Sequence, residues 1–88
     1  MLSSLDPEPD THVFDARGIA RRFRHAAIFG ALSALRNGET MRFVNDHDPI
    51  PLLRQLDERF GEYLTITYRQ REASGVVIDF RINGLPEE

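Results

Sequence analysis

Val44-Asn45-Asp46-His47-Asp48-Pro49-Ile50-Pro51-Leu52-Leu53 is the stretch in which the hydrophobic period changes, and that change decides the fold. Before it, Thr40 to Asp46 reads as a strand, with Met41 and Phe43 on one side and Arg42 and Val44 on the other, the two-residue alternation of extended backbone. After it, Leu52, Leu53, Leu56 and Phe60 recur at helical spacing, and Gly61 is placed to end the helix. Polar residues fill the join between the two. Asp48 is expected to cap the helix by accepting from its free first-turn amides, with Pro49 at the first helical position, where a missing N–H is no loss.

Upstream of this joint, Ala27, Ile28, Ala31, Leu32 and Leu35 share one face of a helix expected over Arg21 to Leu35, with Gly38 to stop it. Gly30 lies inside that helix at a cost of about 1 kcal/mol relative to alanine; we read it as tolerated. A short strand, His12 to Asp15, precedes the turn Ala16-Arg17-Gly18. Downstream, Leu64, Ile66 and Tyr68 alternate with Thr65, Thr67 and Arg69. Val76, Ile78, Phe80 and Ile82 then alternate with Asp79 and Arg81, and Ala73-Ser74-Gly75 makes the hairpin turn between the two strands.

The element order is therefore β-α-β-α-β-β. A right-handed crossover in the first β-α-β unit puts both helices on the same face. The expected fold is α+β: a two-layer α/β sandwich with two helices on one face of a four-stranded mixed sheet. The Thr65, Thr67, Arg69, Asp79 and Arg81 face is left toward water or a partner. Residues 12–84 make one domain, Met1 to Thr11 a flexible lead-in and Leu85 to Glu88 a polar tail.

A chain of 88 residues has room for one small core. No apolar run approaches the roughly 20 residues that span a bilayer, and Met1 to Asp10 holds no basic leader or apolar segment, which points to the cytoplasm. The absence of cysteine removes disulfides, thiolate metal sites, persulfide chemistry and cysteine nucleophiles together. All 11 basic residues are arginine, so there is no lysine for a Schiff base or a P-loop. A net charge of −3 argues against general nucleic-acid binding, which needs clustered positive charge.

Three residue sets can carry chemistry. Asn45, Asp46, His47 and Asp48 lie at a strand-to-helix join, the place where ligands tend to sit in sheets covered by helices. A histidine between carboxylates suits a general base or a metal ligand, yet the same side chains also suit a turn tied by its own backbone. Arg24 and His25, near the start of the first helix, are expected on the same sheet edge, so His25, His47 and Asp46 are candidate metal ligands in a spacing that is no recognised signature. Arg17, with Asp15 and Gly18, suits either an anion or a structural ion pair. No nucleophile with an evident base and no acid pair of glycosidase type stands out.

Phe14-Asp15-Ala16-Arg17-Gly18-Ile19, Arg24-His25, Ile28-Phe29, Leu32, Leu35, Gly38-Glu39, Val44-Asn45-Asp46-His47-Asp48-Pro49, Pro51-Leu52 and Gln55 together resemble the domain of unknown function 2249 family, a bacterial and archaeal group, over about Val13 to Ile82. The resemblance implies a fold related to the TusA/SirA-like sulfur carriers. It also implies a setting near redox or nitrogen-oxide metabolism, since relatives occur fused to or beside hemerythrin-like and other redox domains. The carriers place a reactive Cys-Pro pair where this chain has Arg21 and Arg22, so cysteine-dependent sulfur transfer is excluded and a docking role for that edge is what can survive.

The leading expectation is a non-enzymatic binding or accessory module. In it the joint, through Arg17, Arg24, His25, Asn45, Asp46 and His47, and the Arg21, Arg22, Arg24 edge recognise a protein partner or a small anionic ligand, with no cofactor. A metal-dependent or acid-base enzyme using His25, His47 and Asp46, with a divalent metal, is the alternative of a different class, and a purely structural motif is the third. A homodimer through the open sheet face or the edge strands is left open.

Overall fold

A computed structural model describes residues 10–86; the first nine residues of the flexible lead-in expected over Met1 to Thr11 and the last two of the expected tail lie outside them. The elements are β1 (Thr11–Asp15), α1 (Arg21–Ala34), β2 (Thr40–Asn45), α2 (Ile50–Phe60), a short 3-10 turn (Gly61–Tyr63), β3 (Leu64–Glu72) and β4 (Gly75–Ile82). The sheet order is β1-β2-β4-β3, with β1 parallel to β2 and the other pairs antiparallel. This is the expected mixed four-stranded sheet with β-α-β-α-β-β connectivity.

Alternation in the strands sets the two faces. Met41 and Phe43 of β2 and Val76, Ile78 and Phe80 of β4 are buried, and Ile28 and Leu32 of α1 and Leu52 and Leu56 of α2 pack on them in one core. Both helices therefore cover the same face. Phe43 lies at the centre, its ring 6.4 Å from that of Phe14 and 5.6 Å from that of Phe80. Phe29 of α1 stacks on Phe60 of α2 at 6.4 Å, which ties the helices to each other. On the open face Thr65, Thr67, Arg69 and Arg81 are exposed, and Arg42 pairs across the strands with Asp79 through two hydrogen bonds of 2.9 and 3.1 Å.

Several expected details differ. Ala27 is exposed, because the apolar stripe of α1 is centred on Ile28 and Leu32. That helix ends at Ala34, with Leu35 extended, before Gly38 is reached; Gly38, at φ +89°, instead turns the chain into β2. Strand β1 begins at Thr11, which pairs with Thr40, so the lead-in is shorter than expected. The tail starts tethered: Asn37 donates through Nδ2 to the Leu85 carbonyl and accepts from the Leu85 amide, both at 2.8 Å.

Two features of the β3–β4 hairpin matter for the site. A Cβ added at Gly75 would lie 2.9 Å from the Asn45 carbonyl oxygen, so only glycine lets β4 approach the end of β2 this closely. The register also slips between Tyr68 and Gln70, leaving Arg69 as an extra residue in β3. In a regular strand Tyr68 and Arg71 would point to opposite faces. After the slip Tyr68 pairs with Ile78 and Arg71 with Val76, both inward-facing positions of β4. Tyr68 and Arg71 thus share a face, with the Arg71 guanidinium 4.6 Å from the centre of the Tyr68 ring.

Candidate functional site

Parallel pairing of β1 and β2 brings the ends of both strands, Asp15 and Asn45, to one edge of the sheet, and α1 and α2 begin just beyond that edge. Between the two helix starts lies a cleft of about 390 Å³. Arg21, Arg24 and His25 of α1 form one wall, Pro51 and Leu52 of α2 the other, and His47, Asp48 and Pro49 of the connecting loop close the end. Neither helix has a side-chain cap or an acidic residue in its first turn, so no carboxylate on either helix start offsets the positive end of the helix dipole.

Asn45 pins this arrangement. It is 1% exposed; its Oδ1 accepts from Arg24 Nη1 at 3.1 Å, and its Nδ2 donates to the His47 carbonyl at 3.0 Å. Arg24 Nη2 donates to the Ile19 carbonyl at 2.8 Å, while its Nε is buried with no partner. The guanidinium is thus held rigidly with donor capacity unused. Arg24 and His25 come to the joint as expected, 21 residues from Asn45 in the case of Arg24.

His47 and Asp46 are both exposed and pair with each other, Nδ1 to Oδ1 at 2.6 Å. That hydrogen bond, with Arg24 nearby, holds the Asp46 carboxyl below the ordinary carboxylate range. His25 is half-buried, and burial, then the charges of Arg21 and Arg24, push its imidazole below 6.5. Arg17 stays away from the cleft. It closes back on Asp15 through Nε and Nη2 at 2.9 and 2.7 Å and holds that carboxyl at about 2. This is the structural ion pair, and it lies on the surface. Among the described residues no three His, Asp or Glu side chains are placed to hold a metal ion, so His25, His47 and Asp46 do not form a ligand set.

The capping role expected of Asp48 and Pro49 is corrected by the structure. Helix α2 starts at Ile50, Pro49 takes the N-cap position with no side-chain cap, and a proline also falls within the first helical positions, as Pro51. Asp48 turns instead to β3: its Oδ1 accepts from the Tyr68 hydroxyl at 2.5 Å, and its Oδ2 pairs with Arg71 Nη2 at 2.8 Å. A charged hydrogen bond and an ion pair satisfy the carboxylate better than the amides of a proline-rich first turn. Burial, then the bond to Asp48, pushes the Tyr68 phenol above 10.0.

In a spectroscopic pH titration Tyr68 should therefore ionise above the ordinary tyrosine range, and Asp48→Ala should bring it down while lowering stability by about 1–3 kcal/mol. The folded state keeps a proton that the unfolded chain releases near 10, so stability should fall as pH rises past about 10. An unshifted Tyr68 in the Asp48→Ala protein would show that this hydrogen bond does not form.

Arg21 lines the cleft on the docking edge where it was expected. Tyr68, Arg71, Pro51 and Leu52 are members of the site that the sequence reading did not single out; Pro51 and Leu52 had a signal, since each lies in the first turn of a helix that starts at the joint. Tyr68 and Arg71 had none, because their approach depends on the bulge at Arg69.

Fold and cleft together define a small two-layer α+β domain with a mixed basic and apolar cleft at one sheet edge. The chain belongs to the family described as Uncharacterized conserved protein (DUF2249), which matches residues 13–82. No curated protein and no solved structure matches the chain. No helix among the described residues is long and apolar enough to cross a membrane.

Proposed function

We propose that this chain is a non-enzymatic binding module whose cleft between α1 and α2 takes an anion. One observation carries the reading. Arg21, Arg24 and His25 line one wall, and the only carboxylate among the lining residues, Asp48, is already satisfied by Tyr68 and Arg71. Asp46 acts on Arg24 only through space, and the exposed Arg21 adds a further positive charge to the wall. A cytoplasmic accessory role near redox or nitrogen-oxide metabolism, where small oxyanions occur, fits this chemistry and rests on the family resemblance. With no cysteine in the chain, the edge cannot carry sulfur as it does in the TusA/SirA-like carriers that the chain resembles, and docking is the use that we propose for it.

Titration of isotope-labelled protein with sodium phosphate at constant ionic strength tests the reading. Amide shifts at residues 21–25 and at His47, Asp48, Ile50 and Leu52 should saturate together. Arg21 is exposed, and Arg21→Gln should weaken binding roughly fivefold, the equivalent of about 1 kcal/mol, without moving the melting curve. An anion favours protonated His25, whose pKa in the free protein lies below 6.5. Affinity should therefore rise as pH falls through that region, and His25→Gln should flatten the profile. Linear, unsaturated shifts with no preference for the cleft would sink the proposal.

The Asp46–His47 contact at 2.6 Å favours a second reading, an acid-base enzyme, because a carboxylate on Nδ1 fixes the tautomer and frees Nε2. Among the described residues no further His, Asp or Glu joins that pair in a metal-binding group. Elemental analysis of natively purified protein tests the metal-dependent form of this reading.

A further inference from the structure

We propose that the anion held in this cleft is organic, with a carboxylate head on the α1 wall and an apolar body against the α2 wall; this rests on the anion-binding reading above. The two walls differ in kind. The α1 wall offers the guanidinium donors of Arg21 and Arg24 and the imidazole of His25. The α2 wall offers the exposed Pro51, backed by the buried side chains of Leu52 and, from the loop, Pro49; none of the three carries a polar side-chain atom.

Its backbone is equally poor in donors. Pro49 and Pro51 have no N–H, the Ile50 amide donates to the Asp48 carbonyl at 3.1 Å, and the Leu53 amide donates to the Pro49 carbonyl at 3.0 Å. Helix starts usually bind anions through free first-turn amides, and the start of α2 is largely stripped of them. A free inorganic oxyanion would be solvated by protein on one side only.

Size agrees. The cleft is about 390 Å³, within the roughly 300–1,000 Å³ of small-molecule sites, whereas a bare oxyanion displaces only a few waters of about 30 Å³ each. An apolar body of ring size fills the remainder and removes the exposed face of Pro51 from water. An organic carboxylate uses both walls at once.

Acetate and benzoate share the head and differ in the body, so their affinities isolate the second wall. In shift titrations at constant pH and ionic strength, benzoate should bind at least about tenfold tighter than acetate, with shifts at residues 49–53 that acetate does not cause. Pro51→Ser removes apolar surface and adds donors, so it should narrow the gap between benzoate and acetate, whereas Arg21→Gln should weaken both. Equal, saturable binding of acetate and benzoate would overturn the organic-anion proposal and leave the anion cleft standing. Failure of acetate, benzoate and phosphate alike to shift residues 21–25 would overturn both. Benzoate shifts centred on the exposed Phe23 ring, with none at 49–53, would overturn the assignment of the apolar wall.

Discussion

Phe43→Ala is expected to lower the free energy of unfolding by about 3–5 kcal/mol, the largest loss from any single truncation considered for this chain. Phe43 is fully buried in a central strand and makes ring contacts to both Phe14 and Phe80, which draws β1, β2 and β4 onto one side chain. Truncation removes the transfer energy of the ring and leaves a cavity that the sheet cannot close, because its backbone spacing is set by the ladder. A domain of this size has about 5–15 kcal/mol in all, so the variant should be partly unfolded at modest urea concentrations. Val44→Ala, on the other face of the same strand and only half-buried, is the control and should cost much less. Equal midpoints for the two variants in urea would show that the core is not centred on Phe43.

Asn45→Ala is the second large effect, expected at about 2–4 kcal/mol. Two hydrogen bonds end on this side chain, from Arg24 and to the His47 carbonyl, and each buried partner left unsatisfied costs about 1–3 kcal/mol. Arg24 would keep only its bond to Ile19, with its Nε already unpartnered. The consequence reaches function, since Arg24 would lose the anchor that aims it along the cleft wall. Asn45→Asp separates the two bonds. It keeps an acceptor for Arg24 and loses the donor to His47, so its stability should fall between wild type and the alanine variant. An aspartate variant as unstable as the alanine one would assign the whole effect to the His47 carbonyl.

These two residues also mark how far the sequence alone reaches. Phe43 was readable as core because a period of two is a local property: Met41 and Phe43 must share a face whichever strands lie beside them. The same holds for Ile28 and Leu32, whose helical spacing puts them on one stripe, and for Gly61, which ends α2 at φ +55°. Where the stripe has margins, the pattern blurs. Alanine is apolar enough to join either side, and Ala27 fell on the exposed one.

The polar joint was less legible. Asp48 followed by prolines has the local chemistry of a helix start, and by local chemistry alone a cap was the natural role. Tertiary contacts outweighed it: a half-buried phenol and a guanidinium arriving from β3 give the carboxylate a hydrogen bond and an ion pair. That arrival depends on one inserted residue, Arg69, which changes the parity of the strand and brings Tyr68 and Arg71 to the same face. A period read along a strand carries no record of register against its neighbour, so the bulge could not be seen.

The sequence by itself determined the element order, the single inward face of each strand, the meeting of Arg24, His25 and the Asn45-Asp46-His47 segment at one sheet edge, and the loss of thiol chemistry. All of these follow from periodicity, chain connectivity and residue identity. Only the tertiary structure decided that Asn45 is a pin and Asp48 a tether to β3, that Arg17 turns back on Asp15, and that the cleft has a basic wall facing an apolar one. Those are choices among partners distant in the chain, and a polar side chain selects its partner by three-dimensional reach and by what else can satisfy it.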